Sequence, residues 1–228
     1  MYNTIQSYTE NQFPDVYLAS GGTVNATTQI NTFITQAEQR IYNSVQFPSL
    51  RKNVTGTTTS SNKYLSCPGD FLATYSMAVI DATGAYEYLL NKDVNFIRQA
   101  YPTPTDTAIP KYYALFGPTV SGVTISNELS FILGPTPDTV YTIELHYYYY
   151  PESITTIASG QTWLGDNFDS VLLYGSLVEA YTFMKGEVDI ITGYDAKYKE
   201  ALALAKRLGD GMERQDAYRS GQYRQAVT

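Results

Sequence analysis

Three stretches of the chain carry a hydrophobic rhythm strong enough to name the element they form. Between Thr28 and Gln46, Ile30, Phe33, Ile34, Ala37, Ile41, Tyr42 and Val45 recur at spacings of three and four, one face of a helix. Asn25, Thr27 or Thr28 can cap its start. Phe47-Pro48 ends it, because the residue before a proline avoids the helical region. From Phe168 to Met184 apolar side chains point in almost every direction: Val171, Leu172, Leu173, Tyr174, Leu177, Val178, Tyr181 and Phe183 leave little polar surface. A helix of that kind has to be buried among other elements. Asp166 or Asn167 is its expected N-cap, and Lys185-Gly186-Glu187 a tight turn. A second helix then shows Ile191, Tyr194, Tyr198, Ala201, Leu202, Ala205 and Leu208 on one side, with Gly209 as the expected terminator. Residues 163–209 therefore read as a helical hairpin that needs cover.

Between the helices the period changes to two. Thr139–Tyr150 alternates most clearly, with Tyr141, Ile143, Leu145, Tyr147 and Tyr149 on one face and Thr142, Glu144, His146 and Tyr148 on the other. Further strands are expected over 52–59, 63–66, 75–80, 85–90, 111–116, 120–126 and 128–133. Asp81-Ala82-Thr83-Gly84 serves as a hairpin loop and a short helix lies near 92–101. Helix, strand block and helical hairpin, without βαβ alternation, predict an α+β fold. Its form is a small antiparallel helical bundle, the N-terminal helix plus the C-terminal hairpin, carrying a large antiparallel β insertion. The expected division is an N-terminal arm over 1–26, a bundle from 27–50 and 160–209, a β-rich insertion over 51–159 and a C-terminal tail over 210–228. A short helix within the polar, turn-rich arm stays open as an alternative.

Composition changes this picture mainly by removing chemistry. The chain has 228 residues, a formal charge of −7 and 22 tyrosines. The charge argues against unspecific holding of nucleic acid from outside, and it says little about DNA passing through a channel, where a repelling wall is acceptable. Tyrosine, apolar in its body and polar at its tip, suits half-buried sheets and protein interfaces. Cys67 is the only cysteine, so no intramolecular disulfide forms. MYNTIQSYTENQF has neither a basic region nor an apolar run, so no signal peptide is expected. Asp169, Ser170, Ser176, Glu179 and Thr182 interrupt the greasy helix, which excludes it as a membrane span.

His146 is the only histidine, which excludes a metal site of several imidazoles. It sits mid-strand among tyrosines, where a structural role is expected. Cys67 and His146 are the one nucleophile–base pair available, and Cys67 lies in a Cys-Pro-Gly turn without a surrounding motif. Tyr174-Gly175-Ser176-Leu177 lacks the second glycine of a nucleophile elbow. Asp166/Asp169 and Glu187/Asp189 read as helix-start residues. No catalytic residue, metal ligand or cofactor site is assigned. In the polar tail, Arg214, Tyr218-Arg219 and Tyr223-Arg224 repeat at five-residue intervals, matching neither a helical nor a strand face. Two readings stand: a disordered terminus, or a docking segment that orders on a partner through Tyr and Arg anchors.

Two stretches resemble the head–tail adaptor, or connector, proteins of tailed bacteriophages. INTFITQAEQRIYNSVQFPSLRKN is similar to the helix near that family's N-terminus, where a Glu-x-Arg-Ile pattern leads into the first strand; here the residues are Glu38, Arg40 and Ile41, followed by Pro48, Leu50, Arg51 and Lys52. The hairpin from Trp163-Leu164 through Glu179-Ala180 and Lys185-Gly186-Glu187 to Tyr194, Tyr198 and Leu202 resembles its C-terminal half. The element order matches as well, including that of the tail tubular protein A type of short-tailed phages.

The resemblance implies a virion structural protein with no cofactor, and not an enzyme. It implies a ring, usually of twelve copies, that lies under the portal, extends the DNA channel and meets a tail or nozzle protein below. Double-stranded DNA would pass without sequence-specific binding, and no membrane is involved. The protein would be made in the host cytoplasm and reside in the virion neck. The tail, with Arg214, Tyr218, Arg219, Tyr223 and Arg224, becomes the portal-docking segment. The alternative is a carbohydrate- or receptor-binding neck or tail module using surface tyrosines, and it requires Tyr147 and Tyr149 to face outward into a groove.

Overall fold

The computed structural model describes residues 1–121, 124–127 and 129–219, with side chains at all of these except 119–121, 124–127, 210 and 212–219. The architecture is α+β, and the chain divides into two compact units, 1–50 with 150–228 and 51–149.

The first unit is helical. Asn25 caps helix α2 (Ala26–Ser44) by accepting the Thr28 N–H at 2.9 Å. The stripe of Ile30, Phe33, Ile34, Ala37, Ile41 and Tyr42 is buried along it. Val45 then turns extended and a 3-10 turn, Pro48–Leu50, closes the segment. Ahead of α2 lie helix α1 (Tyr2–Thr9) and a two-stranded hairpin of β1 (Val16–Tyr17) and β2 (Thr23–Val24). The arm is thus part of the core: Ile5 and Phe13 are fully buried, and Gln29 of α2 donates to the carbonyl of Pro14 at 3.0 Å.

The expected cap at Asp166 or Asn167 is corrected by the structure. Thr162 begins the turn earlier, its hydroxyl accepting the Gly165 N–H at 3.1 Å, so both residues fall inside a short helix, α4 (Trp163–Asn167). Phe168 breaks the helix as its ring joins Phe47 and Trp163, with centroids 5.6 and 5.7 Å away. Helix α5 (Asp169–Phe183) starts afresh, and its residues Val171, Leu172, Gly175, Ser176, Leu177, Val178 and Ala180 are buried. It ends in a left-handed Lys185, where Gly186 N–H reaches the Tyr181 carbonyl and Lys185 N–H that of Thr182, satisfying orphan carbonyls.

Helix α6 (Val188–Arg219) corrects a second expectation, because it continues through Gly209 instead of stopping there. A Cβ at Gly209 would stand 2.8 Å from the Gln46 carbonyl oxygen and 3.2 Å from a Val45 methyl. The glycine lets α6 lie against the end of α2. Gly175 serves the α5 crossing in the same way, its missing Cβ lying 3.2 Å from Ala37 and 3.3 Å from the Tyr198 ring. The core of the unit is drawn from α1, α2, α4, α5 and α6 together.

The second unit is a β sandwich of two four-stranded sheets. One sheet has the order β3 (Arg51–Thr57), β12 (Thr142–Tyr148), β5 (Ala73–Ile80), β6 (Tyr86–Tyr88), all antiparallel. The other has the order β4 (Tyr64–Ser66), β11 (Ser130–Gly134), β8 (Tyr112–Phe116), β7 (Leu90–Asn91). Ile143, Leu145 and Tyr147 turn inward from β12 and meet Phe131, Leu133 and Tyr113 across the sandwich. Helix α3 (Val94–Ala100) covers the far side of the second sheet through Ile97, which explains why β11 is buried along its whole length. Buried Leu89 marks where the expected 85–90 strand passes from one sheet to the other, and the β7–β8 pair beyond it is parallel, a local exception to the antiparallel insertion. The 120–126 strand is instead a hairpin of β9 (Thr119–Ser121) and β10 (Thr124–Asn127).

Glycine at an open helical site usually costs about 1 kcal/mol relative to alanine. Gly193 of α6 has open space around it, so Gly193→Ala is expected to raise the denaturant midpoint of the bundle. Gly209→Ala is expected to lower it despite the better helix former, since the new methyl meets a backbone oxygen. Equal shifts in equilibrium unfolding would contradict the packing role of Gly209.

Candidate functional site

The Glu-x-Arg-Ile pattern of α2 is a structural tie. Glu38, 2 % exposed, accepts the Ile154 N–H at 3.0 Å and has the Ser153 hydroxyl as a second partner. Burial pushes its carboxyl above the ordinary carboxylate range, against the opposing pull of those hydrogen bonds. Arg40 pairs with Glu179 of α5 and lies over the Tyr198 ring of α6, 5.9 Å from its centroid. Ile41 is fully buried. One turn of α2 thus engages the segment entering α4, helix α5 and helix α6.

Cys67 and His146 do not form a site. Cys67 packs against the sandwich core, and burial pushes its thiol up to about 12, far from a reactive thiolate. His146 lies on the opposite side of β12 from Leu145 and Tyr147, its ring 5.0 Å from that of Tyr75. The acidic residues serve helix beginnings: Asp166 lies within the short α4, Asp169 begins α5, and Asp189 lies in the first turn of α6. Among the described residues no group of three or more His, Cys, Asp or Glu side chains could hold a metal ion. No helix among them is long and apolar enough to cross a membrane.

The Tyr147–Tyr150 run is divided among packing tasks. Tyr147 is 1 % exposed and donates to Asp70 at 2.7 Å; Tyr149 packs against the same core. Partial burial would raise the Asp70 carboxyl, but hydrogen bonds from Lys52 and Tyr147 outweigh it and hold Asp70 below its usual range. Tyr148 stands on the outer face against Tyr75, and Tyr150 stacks on Tyr42 in the helical unit. The outward groove of Tyr147 and Tyr149 that a carbohydrate-binding module requires is therefore not built.

The outer face of β3-β12-β5-β6 is polar and aromatic. Glu144 accepts from Asn53 at 2.9 Å and from the Tyr86 hydroxyl, and the Arg51 guanidinium lies 4.5 Å from the Tyr75 ring centroid. Sequence periodicity places these residues on one face but does not show that β3 and β6 are edges. Of the tail residues, Arg214, Tyr218 and Arg219 fall in the last turns of α6, where side chains lie outside the description; Tyr223 and Arg224 lie outside the described residues.

A bundle built on a largely apolar helix, with a β sandwich inserted between its first long helix and its closing hairpin, has the element order that the resemblance to phage head–tail adaptors predicts. The family model for the SU10 adaptor protein matches residues 4–226, and the chain belongs to that family. The family is one of phage head–tail adaptors, structural proteins of the virion and not an enzyme family. No curated protein matches the chain.

The folded state holds a proton on Glu38 more tightly than the unfolded state does. Its contribution is therefore largest below the unfolded carboxylate range and is lost as pH rises through the raised folded value. Glu38→Gln keeps an acceptor for Ile154 without a buried charge. Its denaturant midpoint is expected to match or exceed that of the unmodified chain at about pH 7, the gap closing toward about pH 4. Glu38→Ala leaves the Ile154 N–H unpaired and is expected to cost about 1–3 kcal/mol. An alanine variant as stable as the parent would contradict the tie.

Proposed function

We propose that the chain is the head-to-tail adaptor of a tailed phage, assembling as a ring of twelve copies under the portal in the virion neck. The ring extends the DNA channel and presents its far side to a tail or nozzle protein. The observation that carries this reading is family membership over residues 4–226. A net charge of −7 supports a channel wall that lets double-stranded DNA pass without gripping its phosphates. The element order further supports kinship with the tail tubular protein A type of short-tailed phages.

Docking to the portal falls to the segment from Met212 to Thr228, with Arg214, Tyr218, Arg219, Tyr223 and Arg224 as anchors. Helix α6 runs to Arg219, so the backbone of the first three anchors belongs to the longest helix of the unit. Negative-stain images of the chain mixed with its portal are expected to show twelvefold rings seated on the portal. Deleting residues 212–228 is expected to abolish them while leaving the far-ultraviolet circular dichroism of the β unit intact. Rings that seat equally well without those residues would refute the docking role.

A further inference from the structure

The sheet β3-β12-β5-β6 ends in two strands with no strand along their outer sides among the described residues. Natural proteins usually blunt such edges with charge, proline or a bulge. Strand β3 has no proline and no bulge, and its charge is confined to Arg51 and Lys52 at its start. It runs its 7 residues against β12 without a register shift, and Asn53-Val54-Thr55-Gly56-Thr57 is uncharged and exposed throughout. Its two cations are turned to other tasks, Arg51 to the Tyr75 ring and Lys52 to Asp70 at 2.8 Å.

The register shows which backbone groups face out. Thr58 N–H donates to the Tyr141 carbonyl, so the ladder bonds of β3 fall on even-numbered residues. The N–H and C=O groups of Asn53, Thr55 and Thr57 consequently point away from β12. At the opposite edge Leu89 N–H donates to Met77, which puts Glu87 in the ladder and turns the N–H and C=O of Tyr86 and Tyr88 outward. Strand direction alternates through all four strands, so β3 and β6 run in opposite senses. A second copy shifted along the sheet brings its β3 antiparallel to the first copy's β6. Charge agrees with that meeting at the strands themselves: β3 carries Arg51 and Lys52 and no acid, and the one charged residue of β6 is Glu87.

We propose that β3 of one subunit pairs with β6 of the next, so that a second copy of this chain occupies each open edge and the sandwiches join into a continuous sheet. Tyr86 and Tyr88 exchange backbone hydrogen bonds with Asn53 and Thr55, or with Thr55 and Thr57. Two different edges meet, which makes the contact heterologous, the kind that closes into rings. The inference rests on the ring assembly proposed above and assigns it a surface.

Amide exchange measured on the free chain and on portal-seated rings tests the pairing. Assembly is expected to slow exchange by about tenfold or more at Thr55, Tyr86 and Tyr88, together with Asn53 in the first register or Thr57 in the second. Thr55→Pro removes a donor that its own sheet does not use, so the free variant is expected to keep the parent's unfolding midpoint while its ring yield falls about tenfold. Rings of the parent chain in which either edge exchanges as fast as in the free chain overturn the pairing. So does protection of β3 alone, the mark of a portal or tail strand seated there, and so does an undiminished ring yield for a folded Thr55→Pro. Should the variant misfold, the exchange data on the parent decide. A parent chain that forms no ring on its portal is a different failure, which removes the ring itself and the pairing with it.

Discussion

Helix α5 has no polar face to give to water, and the helical unit is arranged around that constraint. Its turns at Val171, Leu172, Leu177 and Ala180 are shielded by the stripe of α2 and by Tyr198 and Ala205 of α6. Close approach is made possible where side chains are smallest. Gly175 lets α5 meet both Ala37 and Tyr198, and Gly209 lets α6 lie against the end of α2. Arg40 then reaches Glu179 and Tyr198 from one point on α2. Burial of apolar area supplies the driving force, and the glycines decide how near the helices come.

The β unit solves a different problem, that of carrying many tyrosines without a binding groove. Tyr113 and Tyr147 are buried with hydrogen-bond partners for their hydroxyls: Thr74 and Asn91 for the first, Asp70 for the second. Tyr75, Tyr86, Tyr88 and Tyr148 line the outer face of one sheet, beside Arg51, Glu144 and His146. An apolar body with a polar tip fits both settings, which is why one residue type serves core and surface alike. Among the surfaces available to partners are the backbone at the sheet edges and this aromatic face.

Much of this was legible in the sequence where periodicity is strict. The α2 stripe from Ile30 to Val45 and the inward face of β12 needed only spacing. The fold class followed from the order of elements. Positions set by tertiary contact were not legible. Gly209 looks like a stop because helices often end at glycine, and only the nearness of Gln46 shows that it is a packing device. Asp166 looks like a cap because it precedes the apolar run, but Thr162 caps a separate short helix there, and Phe168, with its ring against Phe47 and Trp163, stands at the N-cap of α5. Ile5 and Phe13 sit in a polar arm with too few apolar residues to register as periodic, yet both are fully buried. The edges of the sheet were invisible for a related reason, since edge status belongs to strand order and not to any strand's own residues.

The family resemblance rested on residues that turn out to hold the bundle together: Glu38 on Ile154, Arg40 on Glu179 and Tyr198, Ile41 in the core. A pattern that serves packing marks a scaffold. On the proposed reading, function lies in how copies and partners meet, and mass is the most direct witness of that. Native mass spectrometry of the chain bound to its portal is predicted to show one dominant complex heavier than the portal by a single fixed multiple of 25.4 kDa, twelve for the proposed ring. A ladder of partial occupancies, or a portal with no added mass, would contradict the account.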